Sequence, residues 1–238
     1  MTNRMDRVIV ALDVETGEQA LDIVNRCEGR ISLFKIGKQL FTAEGPDMVR
    51  RIKATGSRVF LDLKYHDIPN TVAHAAIEAA RLGADIVDIH TSGGAEMMRR
   101  TASDMRAVCE TEGIPVPELF GITILTSLDD SALTEIGYAG GTRQMVERLA
   151  RLGQACGITG VVCSPLEITL VKESCGAAFK TLTPGIRPRF AMGKDDQKRV
   201  MTPKDAFDAG TDYIVIGRPI TKAPDIREAI HQLADEIG

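Results

Sequence analysis

Two stretches of the chain read alike: Arg81-Leu82-Gly83-Ala84-Asp85-Ile86-Val87 and Asp208-Ala209-Gly210-Thr211-Asp212-Tyr213-Ile214. Each closes an amphipathic segment, turns on a glycine and enters an apolar run. Glycine suits the position just past a helix C-terminus, where a positive φ is cheap only without a Cβ. Gly56 and Gly157 stand in similar places ahead of apolar runs. The recurring unit is helix, glycine, strand.

Extending that unit along the chain marks eight candidate strands, at 8–13, 33–37, 59–64, 86–91, 119–125, 160–164, 180–183 and 213–217. They are near-continuous apolar runs, the pattern of a parallel sheet covered on both faces. Apolar residues at helical spacing mark helices at 17–27, 46–54, 71–82, 96–108, 142–156, 203–209 and 225–237. Eight βα units without a low-complexity linker predict an α/β fold, a (β/α)8 TIM barrel forming a single domain over 1–238. A doubly wound open sheet is the alternative, but no GxGxxG follows the first strand and no reversal of strand order is evident.

Composition agrees. The chain is 44% hydrophobic and 26% charged, enough for one sizeable core. A net charge of −4 carries no basic excess for nucleic acid or an anionic membrane, so neither partner is expected. Cys27, Cys109, Cys156, Cys163 and Cys175 form no CxxC and read as reduced core thiols. No signal-peptide pattern or membrane-length apolar run is seen, so a cytoplasmic protein is expected.

In such barrels the site lies at the C-terminal ends of the strands. That rim collects Asp13, Lys35, Asp62 with Lys64, Asp88 with His90, Thr126 with Ser127, Pro184 with Arg187, and Gly217 with Arg218. Asp62 and Lys64 are two apart, so on a strand they leave by one face. Charges this dense at the end of a buried strand cost desolvation energy and stabilise a fold poorly, which points to chemistry. A solvated strand end with a chance ion pair is the plain alternative.

Asp62 and Asp67 flank Lys64 in sequence. Opposite charges favour the ammonium, so Lys64 suits a proton donor better than a Schiff-base nucleophile. Lys35 extends the set to an alternating row of Lys35, Asp62, Lys64 and Asp67. Two cations balance two anions there, which argues against a divalent metal. His66 and His90 read as structural groups rather than ligands. Gly217-Arg218 occupies the usual phosphate position of these barrels, with Arg187 closing the same pocket. Residues 188–201, polar and with Gly193 inside, suit a lid. Asp88 receives no role.

With these residues assembled, the chain resembles the orotidine 5′-phosphate decarboxylase family. The strongest likeness is Asp62-x-Lys64-x-x-Asp67-Ile68-Pro69-x-Thr71. It continues in Ala11-Leu12-Asp13, Phe34-Lys35-Ile36-Gly37, His90-x-Ser92-Gly93-Gly94 and Leu125-Thr126-Ser127. Further on come Thr183-Pro184-Gly185-Ile186-Arg187-Pro188, Asp196-Gln197-x-Arg199-x-x-Thr202-Pro203 and Ile216-Gly217-Arg218-Pro219-Ile220. The resemblance implies decarboxylation of orotidine 5′-phosphate to uridine 5′-phosphate without cofactor or metal. It implies that Lys64 protonates C6, that Asp62 sits beside the substrate carboxylate, and that Lys35 and Asp13 meet the ribose. Thr126, with Ser127 as neighbour, would meet the pyrimidine, and Pro184 would line its pocket. Arg187, Gln197, Gly217 and Arg218 would hold the phosphate. Asp67 and Thr71 would enter a partner subunit's site, making the active unit a homodimer. A related reading, a sugar-phosphate decarboxylase or hexulose-phosphate synthase using Mg²⁺, shares the Asp-x-Lys-x-x-Asp core. A catalytically silent phosphate-binding barrel is the third.

Overall fold

Short apolar strands that pair only with parallel neighbours have no edge to spare, and here they close on themselves. The structure is a computed structural model that describes residues 3–27, 29–193 and 201–238. In chain order the elements are β1 (Val8–Ala11), α1 (Gly17–Arg26), β2 (Leu33–Gly37), α2 (Lys38–Glu44), α3 (Asp47–Ala54), β3 (Arg58–Tyr65), α4 (Pro69–Arg81), β4 (Ile86–His90), α5 (Gly94–Glu112), β5 (Glu118–Ile122), α6 (Asp130–Glu135), α7 (Thr142–Ala155), β6 (Gly160–Val162), α8 (Ile168–Cys175), β7 (Lys180–Thr183), α9 (Pro203–Asp208), β8 (Tyr213–Ile216), α10 (Arg218–Thr221) and α11 (Ile226–Ile237). Each strand pairs with the next, and β8 pairs in parallel with β1 to close the barrel. The (β/α)8 expectation holds, with all eight strands at the expected places.

Four helices were not expected: α2, α6, α8 and α10. They run to only 7, 6, 8 and 4 residues, too few turns for the helical period to stand out. Of these α8 was readable, since Ile168, Val171 and Cys175 are buried at helical spacing. Several strands also end earlier than their apolar runs. The run at 119–125 leaves the ladder after Ile122, yet Thr123 and Ile124 remain buried.

The sequence repeat has a shared structural purpose. Gly83 and Gly210 take positive φ, +89° and +98°, just past α4 and α9. Two residues on, Asp85 Oδ2 accepts the Val59 N–H at 2.7 Å and the Lys53 ammonium at 2.8 Å. Asp212 Oδ2 does the same with the Thr181 N–H at 2.8 Å and Lys172 at 2.7 Å. Each aspartate ties the strand before it to the helix before that, at the N-terminal end of the barrel.

Side chains alternate in and out along every strand. Outward residues such as Val10, Phe34, Leu61, Val87 and Ile89 join the core beneath the helices. Inward ones, Ile9, Ala11, Leu33, Phe60, Ile86, Phe120, Leu182, Tyr213 and Val215, fill the barrel. All five cysteines are buried and unpaired, as read from their spacing. Among the described residues no helix is long and apolar enough to cross a membrane.

Candidate active site

The barrel filling sets up the site by parity. Two residues beyond an inward apolar residue the next side chain points the same way. From Leu33 this leads to Lys35, from Phe60 to Asp62 and Lys64, from Ile86 to Asp88, and from Leu182 to Pro184. Lys35, Asp62, Lys64 and Asp88 line one cavity together with Thr126 and Pro184, over a floor that includes Phe60, Ile122, Val162, Leu182 and Val215.

The charges form a chain that enters the cavity from Asp13 at its edge. Asp13 Oδ1 lies 3.1 Å from Lys35 Nζ, and Lys35 Nζ lies 3.2 Å from Asp62 Oδ2. The other Asp62 oxygen accepts a hydrogen bond from the Lys64 ammonium, which stands 4.0 Å from Asp88 Oδ2. Glycine at 37 leaves Lys35 room; a Cβ there would stand 3.1 Å from Lys35 Nζ, tighter than an ordinary contact.

Burial works against the ammonium of Lys35, but the carboxylates of Asp62 and Asp13 outweigh it and raise its pKa. Burial alone would raise Asp62 too. Lys35, the facing carboxyl of Asp88 and Lys64 overcome that and hold Asp62 down to about 2. Asp88 is fully buried, and burial followed by the charge of Asp62 pushes its carboxyl well above the usual range. Burial, then His66, Lys38 and Lys64, lowers His90 to about 4, so it is neutral at pH 7, stacked on His66 with centroids 5.1 Å apart. Because Asp62 is depressed in the folded state, the stability it contributes is complete above its unfolded value near 3.9 and fades as pH falls toward 2. The melting-temperature gap between the parent and Asp62→Asn is therefore expected to narrow between about pH 4 and pH 2. A gap that stays constant in a pH series would show that the carboxylate is not stabilised in this way.

The row differs from expectation at its end. Asp67 does not complete it: the side chain is exposed, its Oδ1 accepts the Ile68 N–H at 2.6 Å, and it makes no ion pair with Lys64 within this chain. β3 ends at Tyr65, and the chain turns over the rim before Pro69 opens α4, which carries Asp67 away. Within the chain, Asp88 is the second carboxyl near the Lys64 ammonium. The signal for it was a carboxylate in register with the inward residues of an otherwise apolar strand.

The remaining expected residues spread around the rim. Thr71 is exposed in the first turn of α4, and Ser127 is exposed beside Thr126 after β5. Gly217 precedes α10, and a Cβ there would lie 3.8 Å from Asp13 Oδ2. Arg218 begins α10 and lines a neighbouring cleft with Phe190, Ala191 and Lys222 rather than the cavity of Lys64. The backbone N–H of Arg187 donates to Met201 O at 3.1 Å, and Ile186 bridges Met201, tying the segment after β7 to the start of α9. Gln197, with the rest of residues 194–200 of the expected lid, lies outside the described residues.

Comparison with known proteins narrows the chemistry. The Orotidine 5'-phosphate decarboxylase / HUMPS family matches residues 6–233. Orotidine 5'-phosphate decarboxylase of Syntrophotalea carbinolica is 47% identical over 233 residues, 98% of this chain and 95% of that protein. The Idiomarina loihiensis protein of the same name is 47% identical, covering 98% of this chain and 99% of its own. A crystal structure of orotidine 5'-phosphate decarboxylase from Lactobacillus acidophilus superposes with a TM-score of 0.86 at 36% identity, over 98% of this chain and 99% of that one. A closed parallel barrel, an Asp-x-Lys pair at the end of its third strand and relatives matched over nearly their whole length make one case: the chain belongs to the orotidine 5′-phosphate decarboxylase / HUMPS family.

Proposed function

We propose that this protein, as one barrel domain, decarboxylates orotidine 5′-phosphate to uridine 5′-phosphate and CO₂, with Lys64 as the proton donor. The observation that carries the reading is the ion-pair chain Asp13, Lys35, Asp62, Lys64, whose last three members line one cavity. Loss of CO₂ without an electron sink leaves a localised carbanion at C6. A fixed ammonium aimed at that carbon stabilises the charge, and no reorganisation is needed at the moment of reaction because the carboxylates already restrain it. The same ammonium then gives its proton to the carbon. Asp62 sits beside the substrate carboxylate, Lys35 and Asp13 meet the ribose, and Thr126, Ser127 and Pro184 meet the base. Arg187, Gln197, Gly217 and Arg218 hold the phosphate. Asp67 and Thr71, both exposed, reach the site of a second copy in a homodimer of the cytoplasm.

The test is ultraviolet loss of orotidine 5′-phosphate with uridine 5′-phosphate formed, in excess EDTA. Full activity there supports the reading; a requirement for added Mg²⁺ would favour the sugar-phosphate decarboxylase or hexulose-phosphate synthase chemistry instead. Arg218→Ala is expected to raise KM about 10- to 100-fold, the worth of charge-assisted hydrogen bonds to phosphate. An unchanged KM would remove Arg218 from the phosphate site.

A further inference from the structure

The pairing of β3 with β4 slips where the chemistry is placed. Leu61 pairs with Val87 and Tyr65 with Ile89, so Asp62, Leu63 and Lys64 all stand opposite Asp88 alone. A bulge of this kind leaves backbone groups without ladder partners and re-aims the side chains it carries. One of those groups is the N–H of Lys64, and it donates to Asp88 Oδ1 at 2.8 Å. Lys64 itself adopts φ +52°, and among the described residues it is the one non-glycine with positive φ. A lysine in the left-handed region persists only where its surroundings over-determine it.

We propose that Asp88 is the positioning residue of this site: its carboxyl replaces the missing β4 partner of the bulge, pins the Lys64 backbone in its left-handed turn, and thereby aims the ammonium. The inference rests on the reading of Lys64 as the proton donor. Packing alone does not explain this aspartate. It is wholly buried beside an apolar cavity floor, where an isosteric hydrophobe would stabilise the barrel at least as well. Its relatives in the fold, Asp85 and Asp212, also accept a neighbouring strand's N–H, but each is closed off by its own lysine within 2.8 Å. Asp88 has no such cation. Its Oδ2 is buried without a hydrogen-bond partner among the described residues, and Lys64 Nζ remains 4.0 Å away. The titratable groups facing it are Asp62, Lys64 and Tyr65, all from β3. Burial and the charge of Asp62 push its carboxyl up, and what it offers the Lys64 backbone is an oxygen acceptor at the N–H.

The experiment compares Asp88→Ala, Asp88→Asn, Lys64→Ala and the Lys64→Ala/Asp88→Ala double variant in the orotidine 5′-phosphate assay. Asp88→Ala is expected to lose kcat on the order of 10²-fold, the effect of misaiming a reacting group by about 1 Å, with KM within about threefold of the parent. Asp88→Asn keeps the acceptor in place and recovers most of that kcat. In the Lys64→Ala background, removing Asp88 costs nothing further, because its effect passes through Lys64. Parent-like kcat in Asp88→Ala, a loss carried by KM, or full additivity in the double variant would overturn the proposal. If Asp88→Ala does not fold, Asp88→Asn decides alone: a 10²-fold loss there would mean that charge, not the acceptor, matters. Retained turnover in Lys64→Ala would instead overturn the proton-donor reading, whatever the Asp88 variants do.

Discussion

Lys64→Ala is expected to lower kcat by at least about 10⁴-fold while the protein still binds uridine 5′-phosphate. Two contributions disappear together. A positioned proton donor supplies roughly 10²–10⁴-fold, and a preorganised charge aimed at a developing anion about 10²–10³-fold. Among the described residues Lys64 has no substitute in its own cavity: the other ammonium there, Lys35, is already shared between Asp13 and Asp62. Binding of the nucleotide product is expected to survive because the phosphate is assigned to groups on other strands. The check is kcat from loss of substrate absorbance, with product affinity from calorimetry on the same sample. Turnover within tenfold of the parent would end the account of Lys64.

Asp62→Ala is expected to damage stability and turnover together. Its side chain is only 10% exposed, and it touches both ammonium groups, with Lys35 Nζ at 3.2 Å. Removing it leaves two cations side by side in a largely buried cavity, where breaking a buried pair costs up to about 3–5 kcal/mol. Lys35 retains Asp13, whose side chain is 62% exposed and solvated. Lys64 is left facing Asp88 at 4.0 Å. We expect a clear drop in melting temperature and a loss of kcat on the order of 10²-fold or more as the ammonium swings from its aim. Thermal melts and steady-state kinetics at one pH suffice; a variant that matches the parent in both would show that Lys64 is held by something else.

The eight-fold repeat was legible because a barrel strand covered on both faces must be apolar at nearly every position, and a helix that ends before it needs a residue at ease with positive φ. Gly83 and Gly210 meet that need. The helices α2, α6 and α10 were not legible, since seven, six and four residues hold little of the helical period and, unlike α9, none leads through a glycine into a strand. Among the site residues, Asp62 and Lys64 were legible from their spacing of two along a strand, and Lys35 from its place near the end of the second strand. Asp67 lies near Lys64 in sequence but not in space within one chain, because the turn after β3 carries it over the rim.

By itself the sequence determined the strand and helix alternation, the closure class, and which rim carries the charges, because these depend on local periodicity and on the side from which each strand residue leaves. Tertiary structure alone decided which carboxyl stands behind Lys64. That choice is made between strands: β3 carries two residues more than β4 across the slip, and only the paired register shows that Asp88 faces the gap. A register shift is a relation between two segments, and no pattern within either one records it.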